Sequence, residues 1–289
     1  MKETPNPIRL AVLGCGDIGL RLINNLQGQA NGYAFSRSPK DLPDGFEWRQ
    51  ANAGDVHSYG QYLEALDVLL ITLTPADRGD EAYRLAYVEP IRQLVEYAST
   101  LNRCPLLMFV SSTAVYGQDE TAILDDDSAA VPTRYNGIRM LEAENLLANS
   151  GLPHCVVRFS GIYGLERKRL FSKLVQEVRE EKSYIDSDAH WGNRIHIEDC
   201  VAVLEHLLKM PPAQREAMYL ASDSEPSLRG DIKSYLASLL PSELPARYSC
   251  NSATGKRLFP KRLLASSYKF KYPTYREGYQ AQLEEYLAR

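Results

Sequence analysis

The sequence lacks an excess of either charge. Its 33 Lys and Arg residues nearly balance 37 Asp and Glu residues, which gives a formal net charge of -4. A chain that binds nucleic acid or anionic lipid through its overall charge carries a basic surplus, and that surplus is missing. We therefore expect neither a nucleic acid nor a membrane surface as a partner.

Paired cysteines and long apolar runs are also missing. The five cysteines are far apart and form no CxxC pair, so we expect no zinc knuckle or redox dithiol and predict reduced thiols. No apolar run is long enough to span a bilayer, and the polar stretch from Met1 to Pro7 does not resemble a secretory leader. These absences predict a cytoplasmic protein.

Short apolar runs alternate with longer amphipathic stretches from Ile8 onward. The candidate strands are Ile8 to Leu13, Tyr33 to Phe35, Phe46 to Arg49, Val68 to Leu73, Leu106 to Val110 and Cys155 to Phe159. The candidate helices between them are Ile18 to Leu26, Glu81 to Ser99 and Arg134 to Ala148, with apolar residues three and four apart. This alternation is typical of βαβ units. It predicts an α/β fold with one Rossmann-type, doubly wound parallel sheet.

The alternation of short apolar runs with longer amphipathic stretches changes after Gly164. A charged helix at Leu170 to Glu181, a strand at Arg194 to Ile197 and a helix ending at Leu208 are followed by short elements separated by prolines. We predict a sheet domain at residues 1–164 and a smaller substrate-binding region at 165–289 packed on it.

A GxGxxG turn follows the first predicted strand and precedes the first predicted helix. In this context Gly14 permits a tight turn, Gly16 lets a pyrophosphate approach the backbone, and Gly19 lets helix and strand pack closely. The helix N-terminus adds free N–H groups and positive potential. The sequence therefore predicts that residues 1–164 bind a dinucleotide. The predicted cofactor-binding residues of the turn are Gly14, Cys15, Gly16, Asp17, Ile18 and Gly19.

Asp17 is the residue of this turn that does not suit a phosphate, because both groups are negative. We expect Asp17 to cap the helix and point to water.

The end of the second predicted strand bears on the choice of cofactor. An NAD-specific site places Asp or Glu there to bind the ribose 2′-OH, whereas this chain has Ser36, Arg37 and Ser38. An arginine flanked by hydroxyls can bind a 2′-phosphate, so NADP(H) is favoured and NAD(H) is the alternative. Arg37 could also be a solvated loop residue or stack on adenine in either cofactor. Asp55 and Val56, after the third strand, are candidates to flank the adenine.

Several further segments complete a resemblance to a known family. They are Gly54 to Val56, Ser111 to Gly117, Arg158 to Gly164 and Asn193 to Asp199, with Gly255 to Leu258 and Leu263 to Ser266 near the C-terminus. Together with the glycine turn they resemble the extended or atypical branch of the short-chain dehydrogenase/reductase superfamily, the NAD-dependent epimerase/dehydratase-like proteins. The likeness is strongest to a small uncharacterised subgroup.

The resemblance implies where catalysis would occur. Ser112 and Tyr135 fall where the family holds a substrate oxygen beside the nicotinamide. The family places a lysine four residues after the tyrosine to stabilise tyrosinate, and this chain has Arg139 there, on the same helix face. The open alternatives are that Ser111 and Ser112 close a turn through backbone hydrogen bonds, and that Tyr135 and Arg139 are surface residues.

The resemblance also implies further contacts with the cofactor. Ser111, the stretch Leu73, Thr74 and Pro75, and the loop Phe159, Ser160 and Gly161 are its remaining predicted cofactor-binding residues. Thr113 and Ala114 replace the acidic pair of sugar-nucleotide 4,6-dehydratases, which disfavours dehydration.

The function that follows is an NAD(P)-dependent oxidoreductase or epimerase. It would act at a carbonyl or secondary alcohol, with a nucleotide-linked or phosphorylated sugar as the substrate class to try first. Arg167 and Arg194 are candidates to bind an anionic substrate, although either could be a solvated charge. The alternative is a non-catalytic NADP(H) sensor that has lost the lysine.

Two further expectations concern metals and assembly. His196 has no second histidine at ligand spacing, so we predict no metal site and a structural role, with Glu198 or Asp199 starting the next helix. The resemblance also implies a homodimer through the helices at Glu81 to Ser99 and Arg134 to Ala148.

Overall fold

The computed structural model describes residues 6–118, 122–164, 168–180, 186–240, 250 and 252–288. In chain order its strands are β1 (Ile8–Leu13), β2 (Ala30–Ser36), β3 (Phe46–Gln50), β4 (Val68–Ile71), β5 (Leu106–Ser112), β6 (Ile123–Leu124), β7 (His154–Phe159), β8 (Gly161–Tyr163), β9 (Trp191–Gly192), β10 (Arg194–His196), β11 (Met218–Ala221), β12 (Ser227–Leu228) and β13 (Arg257–Leu258). Its helices are α1 (Asp17–Asn25), α2 (Asp80–Tyr83), α3 (Glu89–Ala98), α4 (Tyr135–Ala148), α5 (Lys168–Arg179), α6 (Ile197–Lys209), α7 (Arg229–Leu239), α8 (Lys261–Ala265) and α9 (Tyr275–Leu287).

The chain divides into two compact units, each made of separate pieces. Unit 1 comprises Met1–Gly117, Ala130–Arg158 and Val201–Tyr219, and unit 2 comprises Gln118–Ala129, Phe159–Cys200 and Leu220–Arg289. The sequence predicts a single boundary after Gly164 instead. The chain leaves unit 1 and returns to it twice, a course that no local sequence pattern announces.

A seven-stranded sheet in the order β11-β7-β5-β4-β1-β2-β3 is formed by the described residues. The pairs of β1 with β2 and β4, of β2 with β3 and of β4 with β5 are parallel. The chain builds outward from β1 in one direction and from β4 in the other, so the strand order reverses between them. This confirms the predicted α/β, doubly wound, Rossmann-type fold and places its switch point beyond Leu13 and Ile71, where ligands bind in open α/β sheets.

Burial explains why β1 and β4 occupy the centre of the sheet. Leu10, Val12 and Leu13 of β1 are at most 1% exposed, and Leu70 and Ile71 of β4 are fully buried. A strand that is covered on both faces reads as a continuous apolar run, as these two do.

Two elements of the sheet unit differ from the sequence prediction. Strand β11 was not predicted, because a four-residue strand at a sheet edge has too short a pattern to separate from the loops around it. The helix expected from Glu81 to Ser99 is divided into α2, a π-helical turn at Arg84–Val88 and α3. Pro90 near the start of α3 has no N–H to donate to the preceding turn, which accounts for the break.

Unit 2 packs around aromatic side chains. Tyr163, Phe171, Tyr275 and Tyr279 are buried together with apolar residues of α5 and α7. The ring centroids of Phe171 and Tyr279 are 5.5 Å apart in a stacked arrangement. Strands β8 and β10 pair in parallel within this unit. The predicted charged helix, the strand from Arg194 and the helix after it correspond to α5, β10 and α6.

Within the part of the chain that the structure describes, no helix is long and apolar enough to cross a membrane.

Candidate functional site

The glycine turn at the end of β1 is held in shape by three hydrogen bonds. The backbone N–H groups of Gly14 and Cys15 both donate to the carbonyl of Phe35, at 3.0 and 3.1 Å. The Thr72 hydroxyl donates to the Gly14 carbonyl at 2.9 Å. Gly14 has a φ of +80°, which a side chain would strain. The end of β2 and the residue after β4 therefore lock the turn that the sequence predicts.

Gly16 and Gly19 differ in what a side chain would meet. A Cβ on Gly16 would have its nearest neighbour 3.8 Å away, in ordinary contact, whereas a Cβ on Gly19 would lie 2.6 Å from Cγ1 of Val12. Gly16 is the N-cap of α1, and no side chain among the described residues caps the helix there. The turn thus leaves open space in front of uncapped helix N–H groups, which suits a diphosphate.

The turn also contains a charged residue, Asp17, and a thiol, Cys15. Asp17 is the first residue of α1, and its carboxylate accepts a 2.7 Å hydrogen bond from Nε of Arg21 one turn further along. The expectation that Asp17 caps the helix is therefore wrong, since Gly16 holds that position. Cys15 is 2% exposed, and burial raises the pKa of its thiol to about 11, which keeps it neutral. Its neighbour Ile18 is half-buried.

The segment after β2 presents two cations. Arg37 and Ser38 are exposed, and no ion pair or hydrogen bond of the Arg37 side chain occurs among the described residues. The Ser36 hydroxyl is engaged, because it donates to the Ser38 carbonyl at 2.7 Å and accepts from Nε1 of Trp48 at 3.0 Å. Lys40 is half-buried, and its charge favours the thiolate of Cys15. Sequence reasoning missed Lys40, although its place four residues after Ser36 is a usable signal.

The remaining predicted cofactor residues of unit 1 follow β3 and β4. One Asp55 carboxyl oxygen accepts from the backbone N–H of His57 at 3.2 Å and caps a short 3₁₀ turn, while Val56 is buried. After β4, Leu73 and Pro75 are half-buried and Thr74 is exposed. Leu73 also lies against the glycine turn, because a Cβ on Gly14 would be 2.9 Å from its Cδ2.

Ser111 and Ser112 at the end of β5 point to different partners. The Ser111 side chain is 4% exposed and donates to Glu144 of α4. The Ser112 hydroxyl is half-buried and accepts a 3.1 Å hydrogen bond from the backbone N–H of Ala114. Ser112 thus closes the turn as one sequence alternative expects, and it keeps its own O–H proton to donate.

Glu144 belongs to a buried polar cluster that sequence reasoning missed. Nε of Arg158 donates to both Glu144 carboxyl oxygens at 3.1 Å, and Nη1 donates to the Tyr116 hydroxyl at 2.8 Å. Burial lowers the pKa of Arg158, and the bonds to Glu144 more than offset this, so the net pKa is raised. Two charged residues amid the apolar residues of α4 and β7 are the signal that could have found this pair.

Tyr135 and Arg139 lie at the start of α4. The Tyr135 ring makes an edge contact with Tyr83, with centroids 5.4 Å apart. Nε and Nη2 of Arg139 donate to the two carboxyl oxygens of Asp80 at 2.8 and 2.7 Å, and Nη1 donates to Glu142 at 2.7 Å. Asp80 and Glu142 raise the pKa of the guanidinium above its usual range. The positive charge of Arg139 is therefore offset by the two carboxylates that it contacts.

Unit 2 contains the predicted nicotinamide loop. Ser160 is 4% exposed, and its hydroxyl has no hydrogen-bond partner among the described residues. Phe159 is buried, and Gly161 is exposed with its N–H bound to the Asn193 carbonyl at 3.1 Å. A buried hydroxyl that lacks a partner in the protein suits a ligand that supplies one.

Arg194 is the substrate candidate that the structure describes, whereas Arg167 lies outside the described residues. Arg194 is half-buried in β10, and its Nη1 donates to the Ser227 hydroxyl. Its guanidinium carbon lies 5.9 Å from the centre of the Tyr275 ring. One edge of the guanidinium is therefore fixed within unit 2.

His196 and Asp199 are both buried, and α6 begins at Ile197 rather than at Glu198 or Asp199 as the sequence analysis expects. The His196 side chain is 1% exposed, and its ring centroid lies 3.8 Å from that of Tyr272. Asp199 is fully buried and accepts hydrogen bonds from the Tyr268 hydroxyl and from the backbone N–H groups of Lys271 and Tyr272, at 2.8 to 2.9 Å. Among the described residues, no cluster of three His, Cys, Asp or Glu side chains could hold a metal ion.

Comparison with known proteins places the chain in a family. No family model matches the sequence. Protein YeeZ of Escherichia coli (strain K12) is 29% identical over 287 residues, which cover 92% of this chain and 96% of YeeZ. A solved structure from Methylobacillus flagellatus, provisionally assigned as an NAD-dependent epimerase/dehydratase, is 30% identical with a TM-score of 0.77 and covers 97% of this chain and 99% of its own. The chain belongs to the NAD-dependent epimerase/dehydratase family.

A more distant epimerase shares the fold of this family member. The UDP-glucuronic acid 4-epimerase from Bacillus cereus, solved in complex with NAD, is 17% identical with a TM-score of 0.75, over 98% of this chain and 100% of its own. The family assignment confirms the resemblance inferred from the motifs.

Proposed function

We propose that unit 1 binds NADP(H), with NAD(H) as the second candidate. We also propose that the protein is an oxidoreductase or epimerase acting at a carbonyl or secondary alcohol of a nucleotide-linked or phosphorylated sugar. The glycine turn carries the proposal, because Gly16 leaves open space in front of the uncapped N-terminus of α1. The shared fold of the NAD-bound UDP-glucuronic acid 4-epimerase supports the same cofactor and substrate classes.

The residues present fit a dinucleotide. A Cβ on Gly16 would occupy the space that a diphosphate needs, and the Ser160 hydroxyl is buried without a partner among the described residues. The glycine turn would hold the diphosphate and Asp55 and Val56 would flank the adenine. Leu73 to Pro75 would lie under the ribose, and Phe159 to Gly161 would face the nicotinamide amide. The bound nicotinamide would donate or accept a hydride at the substrate carbon.

The preference for NADP(H) rests on Arg37 and Lys40. Both cations follow β2, and neither has an acidic partner among the described residues. A 2′-phosphate would gain charge-assisted hydrogen bonds from such groups. The Ser38 hydroxyl can join them, whereas the Ser36 hydroxyl is held by Trp48.

Ser112 would bind the substrate oxygen, and Tyr135 would exchange a proton with it. The Ser112 hydroxyl accepts from Ala114 and keeps its proton, so it can donate a hydrogen bond to that oxygen. Tyr135 is 39% exposed at the start of α4 and would pass a proton to or from the same atom. Arg139 would help seat the ribose through the N–H groups that Asp80 and Glu142 leave unused.

One observation favours the second candidate, a non-catalytic NADP(H) sensor. Arg139 is already paired with Asp80 and Glu142, and Glu142 also lies 3.9 Å from Arg92. The Arg139 guanidinium is therefore less available to a neighbouring oxygen than an unpaired cation would be. A sensor would keep the cofactor site and lack turnover.

Turnover separates the two candidates. NADPH oxidation by the full chain would be followed against a panel of nucleotide sugars and small ketones, with Tyr135→Phe and Arg139→Lys variants beside the wild type. The enzyme proposal expects turnover that Tyr135→Phe lowers at least a hundredfold, as for the loss of an acid–base group. Tight NADPH binding without turnover in the wild type and in Arg139→Lys would replace the enzyme proposal with the sensor.

Cofactor preference has its own test. Titration with NADPH and NADH should show that Arg37→Ala weakens NADPH binding about tenfold, roughly 1.4 kcal/mol, and leaves NADH binding unchanged. Equal affinities for the two cofactors, unaffected by Arg37→Ala, would remove the preference for NADP(H).

We further propose a cytoplasmic homodimer. All five cysteines are free thiols, which suits a reducing compartment. A groove between α3 and α4 is lined by Val95, Leu141 and Leu146, and Ile138 beside them is 45% exposed. Ile138→Glu should convert the dimer to a monomer in light scattering, and a monomeric wild type would contradict this part of the proposal.

A further inference from the structure

Asp223 is a buried carboxyl group for which the described residues supply no hydrogen-bond partner. It follows β11 in unit 2 and is 0% exposed, and neither of its carboxyl oxygens has a partner among the described residues. The backbone N–H of Glu225 lies close enough to favour the charged form without meeting hydrogen-bond geometry. Buried polar groups are satisfied in the great majority of cases, so this carboxyl group requires an explanation.

The chain ties Asp223 to Arg194. The backbone N–H of Asp223 donates to the Arg194 carbonyl at 2.7 Å, and the Ser222 hydroxyl donates to the same oxygen at 3.3 Å. The segment then turns back so that Ser227 accepts a hydrogen bond from the Arg194 guanidinium. Residues 222–227 therefore contact Arg194 at its backbone carbonyl and at its guanidinium group.

Charged and titratable groups from several elements face Asp223. They are Arg194 on β10, Asp199 on α6, Tyr163 on β8, Tyr279 on α9 and Glu225 in the adjoining loop. Arg194 is the single cation among them, and it favours the ionised carboxylate. Burial opposes ionisation more strongly and raises the pKa of Asp223 to about 8. The carboxyl group is thus neutral near pH 7 and within reach of ionisation.

We propose that Asp223 is a positioning residue for Arg194, and that its gain or loss of a proton decides whether the guanidinium is held inside unit 2 or is available to a phosphate or diphosphate group of the substrate. This inference rests on the proposed function, which assigns Arg194 to the anionic end of the substrate. With Asp223 neutral, Arg194 binds the anion. When Asp223 releases its proton to solvent, the carboxylate attracts Arg194 and competes with the anion.

Linkage makes the coupling measurable in both directions. An anion that binds Arg194 removes the charge that favours the Asp223 carboxylate, so Asp223 should then hold its proton to a higher pH. Removing the positive charge of Arg194 should act in the same direction. A carboxyl group that is merely buried would respond to neither change.

The test is a pH titration of the full chain carrying ¹³Cγ-labelled aspartate. The Asp223 signal is assigned by its absence in Asp223→Asn. We expect a midpoint near 8. In Arg194→Gln the midpoint should be about one pH unit higher than in the wild type. Adding inorganic diphosphate to the wild type should also raise the midpoint. The midpoint of Arg194→Lys should stay close to that of the wild type.

The matched control is Glu225→Gln, which removes a charge from the same loop at a side chain that is 39% exposed and paired with Arg276. It should move the midpoint far less than Arg194→Gln. A midpoint near that of an ordinary carboxyl group, or one that neither Arg194→Gln nor diphosphate moves, overturns the inference. NADPH titration of the same samples distinguishes failure of this inference from failure of the proposed function. If the wild type does not bind NADPH, the proposed function is wrong, whereas the titration of the Asp223 carboxyl group is judged from its own midpoints.

Discussion

Glu144 in unit 1 and Asp223 in unit 2 are both buried carboxyl groups, and the protein surrounds them differently. Glu144 is 4% exposed and receives hydrogen bonds from Ser111 and Arg158. Asp223 is fully buried and has no such bond from the described residues. Glu144 thus has a cation and a hydroxyl as hydrogen-bond donors, whereas burial raises the pKa of Asp223 and favours its neutral form.

The two carboxyl groups have different roles in the molecule. The Glu144 cluster joins β5, α4 and β7, and its β5 member, Ser111, is the residue before Ser112. The Asp223 side chain makes no comparable link to another described residue, and its raised pKa makes its charge depend on pH. We therefore treat Glu144 as a structural residue and Asp223 as a responsive one.

The largest expected effect is the loss of the Glu144 charge. Glu144→Gln would leave Arg158 buried without its counter-ion, which costs about 3–5 kcal/mol of unfolding free energy. Urea denaturation measures this change. The matched control is Glu142→Gln on the same helix, where the side chain is 36% exposed and the expected loss is about 1 kcal/mol or less. Equal losses in the two variants would mean that the buried pair has no special role.

Asp223→Asn should raise the free energy of unfolding, whereas Glu144→Gln lowers it. The pKa of Asp223 is raised from 3.8 to about 8, so the folded state holds a proton that the unfolded state has lost. Stability therefore falls as pH rises between these two values, and above about pH 8 the full penalty is present.

The asparagine variant lacks this penalty. We expect Asp223→Asn to be more stable than the wild type at pH 9 by several kcal/mol, because each unit of pKa shift corresponds to about 1.4 kcal/mol, and nearly equal to it only below about pH 4. Thermal and urea unfolding at the two pH values check this. A variant that is destabilised equally at both pH values would show that the Asp223 carboxyl group makes a favourable contact instead.

The smallest effect is expected at Ser111. Because its hydroxyl donates to Glu144, Ser111→Ala should cost about 1.5 kcal/mol of stability, the lower end for a hydrogen bond to a charged group. NADPH affinity should stay unchanged. If affinity falls while stability holds, Ser111 contacts the cofactor as the family resemblance implies, and its bond to Glu144 is secondary.

The predictable part of the fold and of the site was local in sequence. Gly14, Gly16 and Gly19 lie within six residues between a strand and a helix, so their separate roles follow from chain geometry alone. The strands from Ile8 and Val68 were visible because burial on both faces leaves a continuous apolar run.

The part that could not be predicted depends on distant residues. Arg139 and Asp80 are 59 positions apart, so the carboxylate that takes up the guanidinium is invisible in the helical pattern around Tyr135. Ser111 and Glu144, 33 positions apart, are a second example. The burial of Asp223 follows from how the segment after β11 folds around Arg194, which no local motif encodes.

NADPH titration of Gly16→Ala and Gly19→Ala tests whether a dinucleotide binds at the glycine turn. Gly16→Ala has room in the protein and a φ of -100°, so the account predicts near-normal thermal stability and NADPH affinity at least tenfold weaker. Gly19→Ala should instead lower the melting temperature, because its Cβ would meet Val12 at 2.6 Å. If Gly16→Ala binds NADPH as tightly as the wild type, the cofactor does not lie at this turn and the account is contradicted.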